Sequence, residues 1–97
     1  MKEVQRKTMI TPKNILSHEL IGLSATIITS RQSTILGLSG TIIFETKNML
    51  TLRTSAGPKN ISKLSAEKMK VLLPSSACFI RGPSLIGRPE DRAARTH

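Results

Sequence analysis

The stretch "GLSGTIIFETKNMLTL", residues 37–52, holds two strand-like apolar runs around a polar turn, with glycines where the first strand wants side chains. Glycine inside a strand weakens it unless the chain must bend there or another backbone comes close. With Ile35 and Leu36 in front, alternation places Leu36, Leu38, Gly40, Ile42 and Phe44 on one face. Ile35, Gly37, Ser39, Thr41 and Ile43 fall on the other. A strand from Ile35 to Phe44, at about 3.3 Å per residue, would run for ~30 Å or more, too far to stay straight in so short a chain. Gly40 removes the side chain inside a bend and Gly37 relieves the outside of the same curve. A long strand bent in its middle serves both halves of a small barrel and hides its edges.

Outward from this stretch the pattern stays β. "LIGLSATIIT" (20–29) sets Ile21, Leu23, Ala25 and Ile27 on one face, with Ser24 and Thr26 opposite, as a half-buried strand does. "SRQS" turns the chain. "ETKN" turns it again, with Asn48 suited to a left-handed conformation and Glu45 placed to accept hydrogen bonds from turn amides. "MLTLRTS" follows with Leu50 and Leu52 inward and Thr51 and Arg53 outward, and "AGPKN" reads as a turn. Short strands follow around "ISKL" and "KMKVLL", the second with Met69, Val71 and Leu73 inward and Lys68 and Lys70 outward. "ACFIRG" is the last strand, and "PSLIG" ends the apolar part. The reading is all-β: a basic arm (1–18), a small antiparallel barrel (19–87), and a C-terminal short helix or tail (88–97). Thr11–Pro12 in the arm and Pro89–Glu90–Asp91 in the tail are helix-start chemistry.

Ninety-seven residues make one small domain that buries only a modest share of its surface, so a large internal active site is not expected. The formal net charge is +9 and the pI about 10.7, a balance that favours a polyanionic partner. No apolar run approaches the ~20 residues of a membrane span, and Met1–Pro12 is too polar for a signal peptide. A nucleic acid is therefore preferred to a membrane. The lone Cys78 makes neither an internal disulfide nor a zinc site and fits a reducing cytoplasm. With two Phe and no Trp or Tyr, base-stacking platforms are nearly absent, so RNA would be gripped by backbone and shape.

No catalytic constellation stands out. Cys78 with His18 or His97 could in principle form a nucleophilic pair, but its apolar neighbours mark Cys78 as core filler. His18, beside Glu19, reads as an anchor for the arm.

"HELIGL" (18–23), "GLSGTIIFETKNML" (37–50) and "LIGRPEDR" (85–92) occur in this order at these separations. Together they resemble archaeal ribonuclease P protein component 1, the Sm-like subunit shared with the eukaryotic enzyme, from about Pro12 to Arg92. The resemblance implies an Sm-like barrel of six or seven strands with mobile ends. It implies pairing with a zinc-ribbon protein subunit on the specificity domain of the catalytic RNA, among other ribonuclease P proteins and precursor tRNA. The implied holoenzyme removes the 5′ leader from precursor tRNA. Its RNA carries Mg2+-dependent chemistry, and this chain binds no cofactor of its own. An Sm-type ring-forming RNA chaperone is the alternative. A ribosomal or translation-factor barrel fits the composition too, but "ETKN" with "RPEDR" argues against it.

The basic excess runs through arm, middle and tail, more than solubility requires. Phosphate contacts are expected from Lys13, Lys47, Arg53, Arg81, Arg88 and Arg92, with Arg88 also placed to pair with Glu90 or Asp91. Ile15 and Leu16, with His18, are expected to meet the zinc-ribbon subunit, and Gly37, Gly40, Glu45 and Asn48 to shape the barrel.

Overall fold

Strand β1 spans Ser24–Thr29, β2 Ser39–Glu45, β3 Met49–Thr54, β4 Gly57–Ser62, β5 Lys68–Leu72 and β6 Ala77–Ile80, followed by a 3₁₀ turn at Gly82–Leu85. Residues 15, 20–74, 76–88 and 92 are described by the computed structural model of the chain. The strands form one antiparallel sheet in the order β4-β3-β2-β1-β5-β6. One buried cluster takes side chains from all six: Ala25 and Ile27, Ile42, Leu50 and Leu52, Ile61, Met69 and Val71, and Ile80. A sheet whose every strand feeds one core must curl around it. The six antiparallel strands match the expected architecture. The hydrogen-bonded ladder stays open, however, with β4 and β6 at its two ends.

The long bent strand is resolved differently from the sequence reading. Residues Ser33–Gly37 turn, and β2 begins only at Ser39. Gly37 sits at φ +81°, in the left-handed region that suits glycine, and its amide donates to the Ile27 carbonyl at 2.8 Å. Gly40 serves close approach rather than an open corner. A Cβ there would collide with the Arg53 carbonyl of β3 and lie 2.8 Å from its carbon.

The bend itself lies at Ile43. In the β2–β3 ladder Ile42 faces Leu52, but Phe44 faces Thr51, so Ile43 is the extra residue of a bulge. One inserted residue reverses the alternation downstream. Ile42 points into the core and Phe44, expected inward, is 57% exposed. Glu45 swings inward instead, opposite buried Leu50.

Strands β3 and β5 follow the alternation. Leu50 and Leu52 of β3 and Met69 and Val71 of β5 are buried, with Leu73 beyond β5. "AGPKN" is a strand more than a turn: Ser55–Ala56 make the tight connection and Gly57, at φ +103°, opens β4. Pro58 is tolerated there because β4 is an end strand. Leu20, Leu85 and Ile15 add to the core. Ile15 is 2% exposed, and burial of such a side chain stabilises by ~1.5–3 kcal/mol. Ile15, expected to meet the zinc-ribbon subunit, thus packs in the chain's own core.

Candidate nucleic-acid interface

The charged residues divide into an internal cluster and an outward set. Inside, the Glu45 side chain is 2% exposed, and its Oε2 accepts from Lys63 Nζ at 2.7 Å and from Arg92 Nη1 at 2.6 Å. The side chains of Lys63 and Arg92 are 0% and 1% exposed. Lys63 Nζ also donates to the carbonyls of Thr46 (2.7 Å), Gly87 (3.0 Å) and Lys47 (3.2 Å). Arg92 Nη1 donates to the carbonyls of Gly87 (2.8 Å) and Leu85 (3.2 Å). The cluster joins the β2–β3 turn, the end of β4 and the segment after the 3₁₀ turn. Desolvation holds the Lys63 pKa below its usual 10.5, with Arg92 and Arg88 adding to the effect and Glu45 opposing it.

Two expectations are corrected by this cluster. Arg92 was expected on phosphate; in the chain its guanidinium is 1% exposed and paired with Glu45. Glu45 was expected to accept turn amides, yet it neutralises two internal cations. Asn48 departs as well: no described non-glycine residue has positive φ, so it is not left-handed. Its carbonyl instead accepts the Lys63 amide at 2.9 Å. Lys63 was missed because its side chain follows the outward-charged pattern of a solvated strand end. The signal was Glu45 itself, an acid at the end of an apolar strand and so in need of a cation if the chain turns it inward.

The outward set is different. Lys47 projects from the β2–β3 turn, Arg53 from β3, Arg81 from the start of the 3₁₀ turn and Arg88 beyond it, all exposed. Lys13, Leu16 and His18 lie outside the described residues, as do Glu90 and Asp91, the carboxylates proposed for Arg88. On the outer sheet face the register aligns Pro58, Arg53, Thr41, Ser24, Leu72 and Ala77 in one row across the strands. Ser39, Thr26, Lys70 and Phe79 align in another. Hydroxyl pairs such as Thr26 Oγ1–Ser39 Oγ at 2.9 Å lie between the cations. No described carboxylate stands on this face: Glu45 is internal, and Glu67, in the β4–β5 connection, pairs with Arg31 Nε at 3.0 Å.

Both phenylalanines of the chain are exposed on this outer face, Phe44 at 57% and Phe79 at 59%. The composition implied a near absence of stacking surfaces; the structure places both available rings where a base could reach them. Lys68 Nζ lies 5.4 Å from the Phe79 ring centre. Cys78, half-buried, packs against the core.

Residues 13–95 match the family model described as Ribonuclease P/MRP, subunit p29. The chain belongs to this family. It is 42% identical over 84 residues to ribonuclease P protein component 1 of Nitrosopumilus maritimus, covering 87% of this chain and 94% of that one. It is 38% identical over 87 residues to the protein of the same name from Thermofilum pendens, covering 89% and 93%. Among solved structures it resembles that of Mth11, a homologue of human RNase P protein Rpp29, with a TM-score of 0.55 and 35% identity over 77% of this chain and 97% of that one. Glu45 and Arg92, which close the internal cluster, both fall within the span that the subunit p29 family model matches. Among the described residues no helix is long and apolar enough to cross a membrane, and no trio of His, Cys, Asp or Glu gathers to hold a metal ion.

Proposed function

We propose that this member of the ribonuclease P subunit p29 family is a noncatalytic RNA-binding subunit of cytoplasmic ribonuclease P. It supports the catalytic RNA, through its specificity domain, in removing the 5′ leader from precursor tRNA. The observation that carries this reading is the sorting of charge. Both described carboxylates are engaged, by Arg31, Lys63 and Arg92. Lys47, Arg53, Lys59, Lys68, Lys70, Arg81 and Arg88 are left at the surface with no ion pair among the described residues. Lysines and arginines left without carboxylates are what a phosphate backbone requires. In this reading the RNA supplies the Mg2+-dependent chemistry, and a zinc-ribbon subunit pairs with the protein near the arm that holds Leu16 and His18.

A ring-forming Sm-type chaperone would need its end strands to pair with neighbouring copies. Pro58, without an amide, and exposed Lys59 on end strand β4 oppose such pairing. Affinity purification of the tagged chain from its own cells, with sequencing of the retained RNA, tests the proposal. Ribonuclease P RNA together with a zinc-ribbon protein is the expected recovery. A homo-oligomeric ring carrying unrelated RNAs would overturn it.

A further inference from the structure

A cleft of about 780 Å³ opens at one end of the sheet, between the β1–β2 turn, the β4–β5 connection and the start of the 3₁₀ turn. Arg31, Lys68 and Arg81 line it with Gln32, Leu64 and Ser65. Two of its walls, the 3₁₀ turn and the β4–β5 connection, are locked together. Gly82 packs so closely on the β4–β5 connection that a Cβ there would collide with the carbonyls of Lys63 and Ala66. The Gly82 amide donates to Ala66 O at 2.8 Å. Lys63, at the head of that connection, is held by the internal Glu45 cluster. Those two walls are therefore built into the fold, and Arg81, next to Gly82, is carried on one of them, while the β1–β2 turn is joined to them by the exposed Arg31–Glu67 pair.

Its chemistry is that of a phosphate with a base attached. Three cations face one carboxylate, Glu67, which pairs with Nε of Arg31 at 3.0 Å; the Arg31 side chain is 93% exposed. Gln32 and Ser65 offer neutral donors and acceptors. Leu64, 65% exposed, gives an apolar surface at the rim. Lys68 connects the cleft to the exposed Phe79 ring on the sheet face. Paired bases cannot stack on such a ring, because their faces are already covered, whereas unpaired bases can.

We propose that this cleft binds an unpaired segment of RNA, with a phosphate held by Lys68 and Arg81 and a neighbouring base stacked on Phe79. The inference rests on the RNA-binding reading above and names the form of RNA this site takes. The test uses the full chain with a ten-nucleotide single-stranded oligoribonucleotide and an RNA duplex of equal length, by fluorescence anisotropy over a series of salt concentrations. Phe79→Ala is expected to weaken the single strand about fivefold or more and to leave duplex affinity at the wild-type value. Lys68→Gln with Arg81→Gln is expected to flatten the single-strand salt slope by roughly two contacts, about 1.4 log units per log unit of salt. Thermal unfolding confirms that each variant is folded. Equal weakening of strand and duplex by Phe79→Ala, or an unchanged slope in the double variant, would overturn the proposal. So would equal competition by a poly-glutamate peptide of matching charge, which would mark a site for acidic protein segments. Failure of the wild-type chain to retain ribonuclease P RNA would remove the proposed function. Retention of that RNA, with cleft variants that bind the short strand as tightly as wild type, would remove the cleft alone.

Discussion

Glu45 and Arg92, forty-seven residues apart in the chain, meet at 2.6 Å inside the protein. The contact exists because the Ile43 bulge turns Glu45 from the face that strict alternation would give it. It ties Arg92 to the sheet at the β2–β3 turn. The Arg92 amide donates to the Arg88 carbonyl at 3.0 Å, an α-helical bond that aims the side chain back at the core. One carboxylate thus serves two buried cations, and the site depends on it.

Glu45→Gln should therefore be among the most destabilising single changes in the chain. It leaves Lys63 and Arg92 buried without a counter-charge, a situation that costs about 3–5 kcal/mol when a buried pair is broken. Urea unfolding of the variant would read this as a lower midpoint with little change in slope. A loss below ~1 kcal/mol, the size of an exposed pair, would show that the cluster is not what holds the tail.

The glycines of the opening stretch separate by mechanism. Gly40→Ala forces a methyl into the Arg53 backbone, which cannot yield without spreading β2 from β3, so ~1–3 kcal/mol of overpacking is expected. Gly37 has open space where its Cβ would go but a φ of +81°, so Gly37→Ala should lose only the left-handed penalty of ~1–2 kcal/mol. The two differ in how a larger residue is tolerated. Gly40→Val is expected to fall well below Gly40→Ala in melting temperature, because bulk is the problem there. Parent-like melting of Gly40→Val would sink the close-approach account.

Strands β3 and β5 were legible because each keeps a period of two from end to end, and Leu50, Leu52, Met69 and Val71 point where that period puts them. Phe44 and Glu45 were not, because a bulge is a property of two paired strands and leaves no mark on the periodicity of one. Gly37 was placed in a strand because its neighbours are apolar; Leu36, 52% exposed, shows that apolar composition alone does not make an inward face. The cations proposed for phosphate contact divide the same way. Arg53 and Arg81 were found as exposed cations. Arg92 carries the same charge, and only its distant partner Glu45 separates an internal ion pair from a phosphate contact.

The buried ammonium of Lys63 should leave a signature in alkaline solution. Burial lowers its pKa below the 10.5 of an exposed lysine. Between the folded value and 10.5 the unfolded chain binds more protons than the folded one, so the Lys63 contribution to stability rises with pH across that window. Below the folded value both states are protonated and the contribution is flat. The difference in unfolding free energy between the parent and Lys63→Met, followed from neutral pH to 10.5, should shift toward the parent as pH rises. A difference that stays level would mean that Glu45 offsets desolvation, and a shift the other way that Glu45 outweighs it; either would overturn the prediction.

Salt dependence tests which of the cations proposed for phosphate contact serve RNA binding and which hold the fold. Each phosphate contact contributes about 0.7–0.9 log units of affinity per log unit of salt. Arg53 stands exposed on the outer face of β3, aligned across the sheet with Thr41 and Ser24, and Lys47 stands exposed in the turn beside it. Arg53→Gln and Lys47→Gln should each flatten the slope for ribonuclease P RNA by about one contact while leaving the unfolding midpoint nearly unchanged. Arg92→Met should do the reverse. It removes one of two cations from Glu45, leaves Lys63 to pair with the carboxylate at 2.7 Å, and so lowers stability without altering the slope of the folded protein. Filter binding between low and physiological salt, at a temperature where every variant remains folded, measures both. If Arg92→Met flattens the slope as much as Arg53→Gln, the guanidinium reaches the RNA and the internal cluster opens on binding. If neither exposed cation changes the slope, the outer face of the sheet is not the RNA surface.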